Sequence, residues 1–291
     1  MRRTLPQWPG WLFMAPALLF VGVFVLIPLG QLTAMSLTDR SLLGGGKFIG
    51  LANYGRIWND SGFWRALAFT AKYTLVLTPI LMVLGLALAL LTVENTPLKR
   101  LTRAIVFLPV VIGLSSSSLL WFWLLDEQVG LLNKLLVDLR LIREPIVWFA
   151  SADLAFWAVV ISITWKVVGF GMVLFAAGIQ SINPDILEAA LMDGASYWGR
   201  VRLIILPLIR RVALLTTLVS AIGSMLAFDQ FYIMTSGGPR GQTFTAVYWI
   251  YQNSFVSFKL GYGAALSIVL TLIILIFATM QIAVTARSGE T

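Results

Sequence analysis

Long apolar runs dominate the chain and constrain its fold more than any other feature. Six of them are long enough to cross about 30 Å of hydrocarbon at about 1.5 Å per residue. Because backbone amides in lipid need partners within their own segment, each run is predicted to be a helix. The sequence therefore predicts an all-α polytopic membrane protein. We expect a single transmembrane domain over residues 1–291, with helices at about 12–36, 67–92, 104–125, 154–179, 208–234 and 263–286.

Composition agrees with this class and excludes several others. Hydrophobic residues make up 59% of the chain and charged residues 12%, too few charges to cover a soluble domain. The chain contains no cysteine and no histidine. Disulfides, Cys/His metal sites and serine-histidine catalysis are therefore excluded. We expect no catalytic residue, no metal and no cofactor bound by this chain.

The basic residues predict the orientation in the membrane. Arg2 and Arg3 precede the first run, which continues to about Leu37 and is longer than the apolar core of a signal peptide. Lysine and arginine also crowd beside helix ends in the connections 93–103 and 180–211. Since such charges favour the cytoplasmic side, both termini are predicted to be cytoplasmic.

A polar segment of residues 181–207 interrupts the apolar pattern. Asn183 is a good N-cap for a short helix from Pro184 to about Met192. Gly194 can end that helix in the left-handed conformation. Ser196 can cap a second short helix that ends before Pro207, and this proline can open the fifth membrane helix.

One face of the first short helix collects Ile186, Ala189 and Ala190 at spacings of three and four residues. The two alanines would let another backbone approach closely. A lone amphipathic helix of nine residues is marginal in water, so it needs a surface to dock against. That surface is either another part of the chain, a partner protein or the membrane.

The spacing within this segment resembles a known signature. Glu188-Ala189-Ala190, three residues, Gly194, nine residues, Ile204, one residue and Leu206-Pro207 resemble the EAA motif of ABC importer permeases. Further runs are similar to the carbohydrate permeases of this class, of maltose and glycerol-3-phosphate type, and to the first-named permease of a heterodimeric pair. They are Asn53-Tyr54, Trp165-Lys166, Gly169-Phe170, residues 177–182, Asp193-Gly194-Ala195, Phe228-Asp229 and residues 235–239.

The resemblance implies the type I ABC importer permease fold and a set of partners. These are a second permease subunit, two ATPase subunits that hold ATP and Mg, and an extracytoplasmic substrate-binding protein, at the plasma (inner) membrane of a bacterium or archaeon. The solute would be a sugar or sugar-like molecule, either an oligosaccharide or glycerol-3-phosphate or a glycerophosphodiester. The segment 181–207 would be the cytoplasmic coupling loop, seated on an ATPase subunit through Glu188, Ala189, Ala190, Asp193, Gly194, Ala195, Arg200 and Arg202. ATP hydrolysis would belong to those subunits, so the chain is not expected to be an enzyme.

Two of these assignments have alternatives. Asp193 caps the first short helix or pairs with a nearby arginine. Arg200 and Arg202 contact the ATPase or lipid phosphates, or are ordinary charges flanking the membrane.

Two charges within the predicted spans need partners, because a charge in the bilayer costs at least about 2.5 kcal/mol. Lys166 lies near the middle of the fourth span and Asp229 toward the outer end of the fifth. Both should face the bundle interior, where they can pair with each other. They either line the path of the solute or form structural contacts that orient helices. The candidates for the path are Trp165, Lys166, Asp229, Gln230, Tyr232 and Ser116, with the neighbouring Ser115, Ser117 and Ser118.

Other classes of membrane protein fit the sequence less well. A self-sufficient secondary transporter typically has more helices, repeat symmetry and helices broken at the midplane. It would also transport without an ATPase partner. A membrane-embedded enzyme lacks support, because no apolar segment carries paired carboxylates and histidine and cysteine are absent.

Overall fold

The computed structural model describes residues 8–287, with side chains described between residues 13 and 283. Within this range the chain is mostly helical and forms no β-sheet, which confirms the predicted all-α class. Arg2 and Arg3 lie outside the described residues. The helices are α1 Trp8–Val21, α2 Ile27–Ser36, α3 Ala52–Trp58, α4 Ser61–Thr92, α5 Pro97–Val111, α6 Leu114–Leu124, α7 Leu131–Asp138, α8 Ala152–Gln180, α9 Pro184–Met192, α10 Tyr197–Arg200, α11 Leu206–Leu208, α12 Arg210–Met225, α13 Asp229–Thr235, α14 Ala246–Tyr251 and α15 Leu260–Arg287. Wider π-helical turns follow α1, α10 and α14, at Gly22–Leu26, Val201–Ile205 and Gln252–Val256.

The polytopic character of the chain is confirmed. Among the described residues, four unbroken helical stretches are long and apolar enough to cross a membrane. Two bent helix pairs raise the number to six when each pair counts as one span. The unbroken spans are Phe13–Ser36, Ser61–Thr92, Ala152–Gln180 and Leu260–Ala283, and the bent pairs are Pro97–Val111 with Leu114–Leu124, at 99°, and Tyr197–Leu208 with Arg210–Met225, at 71°.

The third predicted span, 104–125, was wrong as a single helix. The helix begins earlier, at Pro97, where the Thr96 hydroxyl accepts from the Lys99 amide at 3.3 Å. It then breaks at Ile112 and Gly113, whose ψ angles of 136° and 145° are extended rather than helical. Pro109 in the last turn of α5 lacks an N–H and so weakens the helix just before this break.

The fifth predicted span, 208–234, was also wrong as a single helix. Within the predicted range, α12 and α13 are separate helices, divided by residues 226–228, where Phe228 has the non-helical angles φ −139° and ψ −65°. Pro207 does not open the span, because it lies inside α11. The chain turns two residues later, where Ile209 leaves helical geometry with φ −89° and ψ 9°.

The chain divides into two compact units, and the predicted single domain stays a prediction. The first unit joins the residues up to Asp60 with Ile250–Leu272. In it, the Asn53 amide donates to the carbonyl oxygens of Ser36 and Thr38, both at 2.8 Å. Tyr54 adds a 2.7 Å hydrogen bond between its hydroxyl and that of Ser36. The Asn-Tyr pair therefore satisfies backbone groups at the end of α2.

The second unit contains Ser61–Trp249 and the chain from Ile273 onward. Its central helix is α8, against which α4, α5 and α12 pack. Glycines allow the closest approaches: a methyl group at Gly169 would lie 2.4 Å from the Val106 carbonyl oxygen, and one at Gly85 3.2 Å from the backbone of Gly171. Small residues at such crossings let membrane helices pack backbone to backbone.

Candidate coupling loop and translocation site

The first half of the candidate coupling loop, residues 181–207, is a capped helix. The Asn183 side chain accepts from the Asp185 amide at 3.1 Å, and Pro184 takes the first helical position. At the other end Gly194 is left-handed, with φ +77°. Its amide donates to the Leu191 carbonyl at 3.0 Å, and the next amide, of Ala195, donates to Ala190 at 2.9 Å. This pair of bonds is a Schellman motif, so the predicted start and end of the helix are confirmed.

The second half of the loop is also helical. The Ser196 hydroxyl accepts from the Gly199 amide at 3.1 Å, which confirms the predicted cap. The chain then runs through α10, the π-helical turn at Val201–Ile205 and α11 without leaving helical geometry until Ile209. The coupling loop is therefore a folded pair of short helices.

An apolar cluster ties this loop to the membrane helices. Ile182, Val201, Ile205 and Ile209 from the loop and its flanks are all buried. Leu187 of α9 packs against the same cluster. The cluster continues into the last turns of α4 and α8 through Ala89, Met172, Phe175, Ala176 and Ile179.

The outward face of α9 differs from the predicted one. Ile186 is 44% exposed and Ala189 is exposed, but Ala190 is only 8% exposed. The expectation that both alanines face a partner was therefore wrong for Ala190. It lies one turn after Leu187 on the helix edge that faces the chain's own core. The exposed apolar surface is instead extended by Leu191, Met192, Tyr197, Trp198 and Leu203.

The polar residues of the loop point in several directions. Glu188 is exposed, and no hydrogen bond or ion pair engages its carboxylate among the described residues. Asp193 occupies the C-cap position of α9 and forms no ion pair with an arginine there. The Arg200 guanidinium lies 6.0 Å from the Tyr197 ring, with a buried Nε that lacks a hydrogen-bond partner. Arg202 is exposed and Ala195 is half-buried.

Lys166 is anchored at the break between α5 and α6. The residue is 7% exposed, and its ammonium group donates to the Ile112 carbonyl at 2.6 Å. Longer bonds of 3.4 Å reach the carbonyls of Pro109 and Val110. These oxygens belong to the carboxyl end of α5, where helical partners are missing and the helix dipole favours a cation.

Asp229 contacts Ser115 and not Lys166, the partner that its charge suggests. Its carboxylate accepts from the Ser115 hydroxyl at 2.9 Å, which joins the start of α13 to the first turn of α6. The possible ion pair between Asp229 and Lys166 is not formed, because both groups bond elsewhere.

A cavity of about 330 Å³ lies within the second unit and is mostly apolar. Lys166 and Gln230 line it, and Gln230 is buried with its Oε1 lacking a hydrogen-bond partner. The Gln230 amide donates weakly to the Tyr73 hydroxyl, at 3.4 Å. The remaining wall comes from Leu77, Leu81, Leu114, Ile163, Val167, Phe170, Val219, Ser220, Gly223 and Ser224.

The other predicted path residues do not line this cavity. The Trp165 ring packs edge-on against Trp121, and the Tyr232 ring stacks on Phe228. Ser116 is exposed. Ser117 and Ser118 are buried and donate to the Leu114 carbonyl of their own helix.

Several cavity residues were not predicted from the sequence, although Ser220 and Ser224 form a recognisable pattern. They lie four residues apart in an apolar helix, so they share one face. Tyr73 could not be predicted in this way, because a single tyrosine in a membrane span forms no pattern with other polar residues.

Broken helices around a cavity, together with a folded loop fixed to the ends of two spans, are typical of a multi-pass membrane transport protein. Residues 12–288 match the family described as "binding-protein-dependent transport system inner membrane component". The chain belongs to this family of permeases, which confirms the importer resemblance and its role as a transport subunit rather than an enzyme.

Individual relatives match over nearly the full length. The lactose transport system permease protein LacF of Rhizobium radiobacter is 36% identical over 282 residues, covering 94% of this chain and 92% of the relative. The trehalose/maltose transport system permease protein MalF of Thermococcus litoralis is 32% identical over 276 residues, covering 94% and 92%. A chain in the crystal structure of a bacterial alginate ABC transporter, in complex with an alginate-bound periplasmic protein, has the same fold. Its TM-score is 0.85 at 19% identity, over 98% of this chain and 96% of that chain.

Proposed function

We propose that this chain is one permease subunit of an ATP-driven sugar importer and forms half of the translocation path. The observation that carries this proposal is the coupling loop, which is folded, exposed on one side and packed into the ends of α4 and α8 on the other. A loop built in this way can pass the movement of a docked protein to membrane helices. A self-sufficient transporter would need no such docking element.

In this proposal the partner docked on the loop is an ATPase subunit that holds ATP and Mg. Ile186, Ala189 and the free Glu188 carboxylate form the contact, and Met192 and Trp198 extend it. Ala190 acts from inside by allowing α9 to lie close to the bundle. The loop then faces the cytoplasm, together with both termini, in the plasma membrane of a bacterium or archaeon. A second permease subunit completes the path, and a substrate-binding protein docks on the opposite face.

The proposed solute is a sugar or sugar-like molecule. Relatives named for lactose and for trehalose and maltose support this class. The cavity beside Lys166 offers the buried Gln230 amide and the Tyr73 hydroxyl as polar groups on an otherwise apolar wall. Such a wall suits the mixed polar and apolar faces of a sugar ring. An acidic solute such as glycerol-3-phosphate is less favoured, because the Lys166 ammonium is already bonded to backbone carbonyls.

Substitution of Ala189 by tryptophan tests the coupling role. The side chain is exposed, so the chain should insert normally while the bulky ring prevents close docking of an ATPase subunit. We expect at least a tenfold loss of ATP-dependent sugar uptake in proteoliposomes with the cognate subunits, and less co-purified ATPase. Ala150→Trp, at another exposed loop position, is the matched control. Full uptake by the Ala189 variant, or uptake by the chain without an ATPase, would overturn the proposal.

A further inference from the structure

The first unit contains a second cavity, of about 160 Å³, that plays no part in the proposed transport path. It lies where the chain leaves α2 and enters α15. The amide of Gly261 donates to the Arg40 carbonyl at 2.9 Å, and that of Leu42 donates to the Phe258 carbonyl at 3.0 Å. Because Ser36 ends one candidate membrane span and Leu260 begins another, we infer that the cavity lies at the depth of lipid head groups.

Cationic side chains dominate the lining of this cavity. Arg40, Arg56 and Lys259 contribute two guanidinium groups and one ammonium group. Two carboxylates oppose these three cations: that of Asp39 in the lining, and that of Asp60, which accepts a hydrogen bond from the lining residue Tyr262 at 2.7 Å. The Asp39 carboxylate already accepts a hydrogen bond from the Lys47 amide. The cavity therefore favours an anion, and guanidinium groups match the oxygens of a phosphate well.

A buried acceptor adds a second requirement. Asn53 lines the cavity and is 1% exposed, and both of its amide hydrogens are used on backbone carbonyls of the chain. Its Oδ1 has no hydrogen-bond partner. An unsatisfied buried acceptor costs about 1–3 kcal/mol unless a donor reaches it. A ligand that carries both a phosphate and a hydroxyl or ammonium donor would satisfy the cations and this oxygen together.

Phe258 lines the cavity, and other apolar side chains are exposed elsewhere in the same unit. Leu43, Phe48, Leu51 and Phe258 are large apolar side chains that are exposed in the same unit. Apolar side chains beside basic ones are typical of segments that lie in the membrane interface. A soluble phosphate ester would make no use of them, but the acyl chains of a lipid would cover them.

We propose that this cavity binds the phosphodiester head group of a membrane phospholipid that also carries a hydrogen-bond donor, as phosphatidylglycerol does. Arg40, Arg56 and Lys259 hold the phosphate, the Asn53 Oδ1 accepts from the head-group hydroxyl, and the apolar side chains contact the acyl chains. The bound lipid then fixes the two span ends that meet at this point.

Native mass spectrometry of the full chain, purified and titrated with lipid in detergent, tests this site without any transport assay. We expect tighter retention of phosphatidylglycerol than of phosphatidylcholine, which lacks the donor. Arg56→Gln and Lys259→Gln should each weaken phosphatidylglycerol binding about fivefold. Arg65→Gln removes an exposed cation of the other unit and is the matched control.

Three outcomes would overturn the proposal. One is equal retention of phosphatidylglycerol and phosphatidylcholine. Another is unchanged phosphatidylglycerol binding in Arg56→Gln and Lys259→Gln, so that these two variants behave like the Arg65→Gln control. The third is displacement of the lipid by soluble glycerol phosphate at equal concentration, which would indicate a site for a free phosphate ester.

Discussion

The ammonium group of Lys166 lies 2.6 Å from the carbonyl oxygen of Ile112, at the point where a membrane span is broken. The break leaves carbonyls at the end of α5 without helical partners, in a region where water is scarce. Lys166 supplies the missing donors from a different helix. The same bond satisfies the lysine, which would otherwise be a buried charge without a partner.

Removal of this donor should destabilise the fold. Lys166→Met keeps an unbranched side chain that is one atom shorter, but it leaves the Ile112 carbonyl without its Lys166 donor, at an expected cost of about 1–3 kcal/mol. Thermal unfolding of the purified chain in detergent measures this loss. Lys72→Met is the control: its side chain is 55% exposed and lies 3.6 Å from Asp153, so its ion pair should contribute at most about 1 kcal/mol. Equal unfolding temperatures for the two variants would contradict the bridging role.

Substitutions at Gly194 should be tolerated according to how readily the new residue adopts a left-handed backbone, and not according to its size. A methyl group there would meet no atom within 4 Å, but φ is +77°. A valine must therefore adopt the left-handed region, at about 1–2 kcal/mol, whereas asparagine adopts it more readily. We expect Gly194→Val to impair ATP-coupled uptake strongly and Gly194→Asn to retain most of it, with similar membrane levels for both. If the two variants were equally active, the left-handed turn would not matter for coupling.

The contact between α5 and α8 should be sensitive to a single methyl group. In Gly169→Ala the new carbon would lie 2.4 Å from the Val106 carbonyl oxygen, so the helices must separate. Overpacking of this kind typically costs about 1–3 kcal/mol. Gly223→Ala is the matched control, because a methyl group there meets nothing within 4 Å. Thermal unfolding in detergent should show a clearly lower unfolding temperature for Gly169→Ala only. A loss of equal size in the control would point to a general effect of replacing helical glycine.

The bond between Ser115 and Asp229 should appear as an energetic coupling. A double-mutant cycle with Ser115→Ala and Asp229→Leu isolates the pair, and we expect about 1 kcal/mol from unfolding measurements. Ser117 serves as the control, since its hydroxyl donates to the Leu114 carbonyl of its own helix. Ser117→Ala and Asp229→Leu should therefore be additive. Additivity in the Ser115 cycle as well would mean that the hydrogen bond does not join α6 to α13.

Local patterns predicted the parts of the molecule that depend on neighbouring residues. The caps at Asn183 and Ser196 and the turn at Gly194 each involve partners within five residues, so the sequence reveals them directly. The existence of the spans follows equally well from apolar length. The break at Ile112 could not be predicted in this way, because its stabilising partner, Lys166, is 54 residues away.

The residues of the candidate site were likewise predicted only in part, because some depend on contacts between distant parts of the chain. Lys166 and Gln230 reach the cavity, as a polar residue in an apolar helix should. Trp165 and Tyr232 do not line the cavity; both are partly exposed, and they contact the rings of Trp121 and Phe228. Whether a helical residue faces a cavity or another ring depends on helix rotation and crossing, which one sequence does not specify.

The apolar cluster beneath α9 has a mechanical consequence. Ile182, Val201 and Ile209 share one close-packed group with Ala89 of α4 and Phe175 of α8. Close-packed interiors transmit displacement with little compression. A displacement of α9 is therefore expected to reach both spans together, through Leu187 and this cluster.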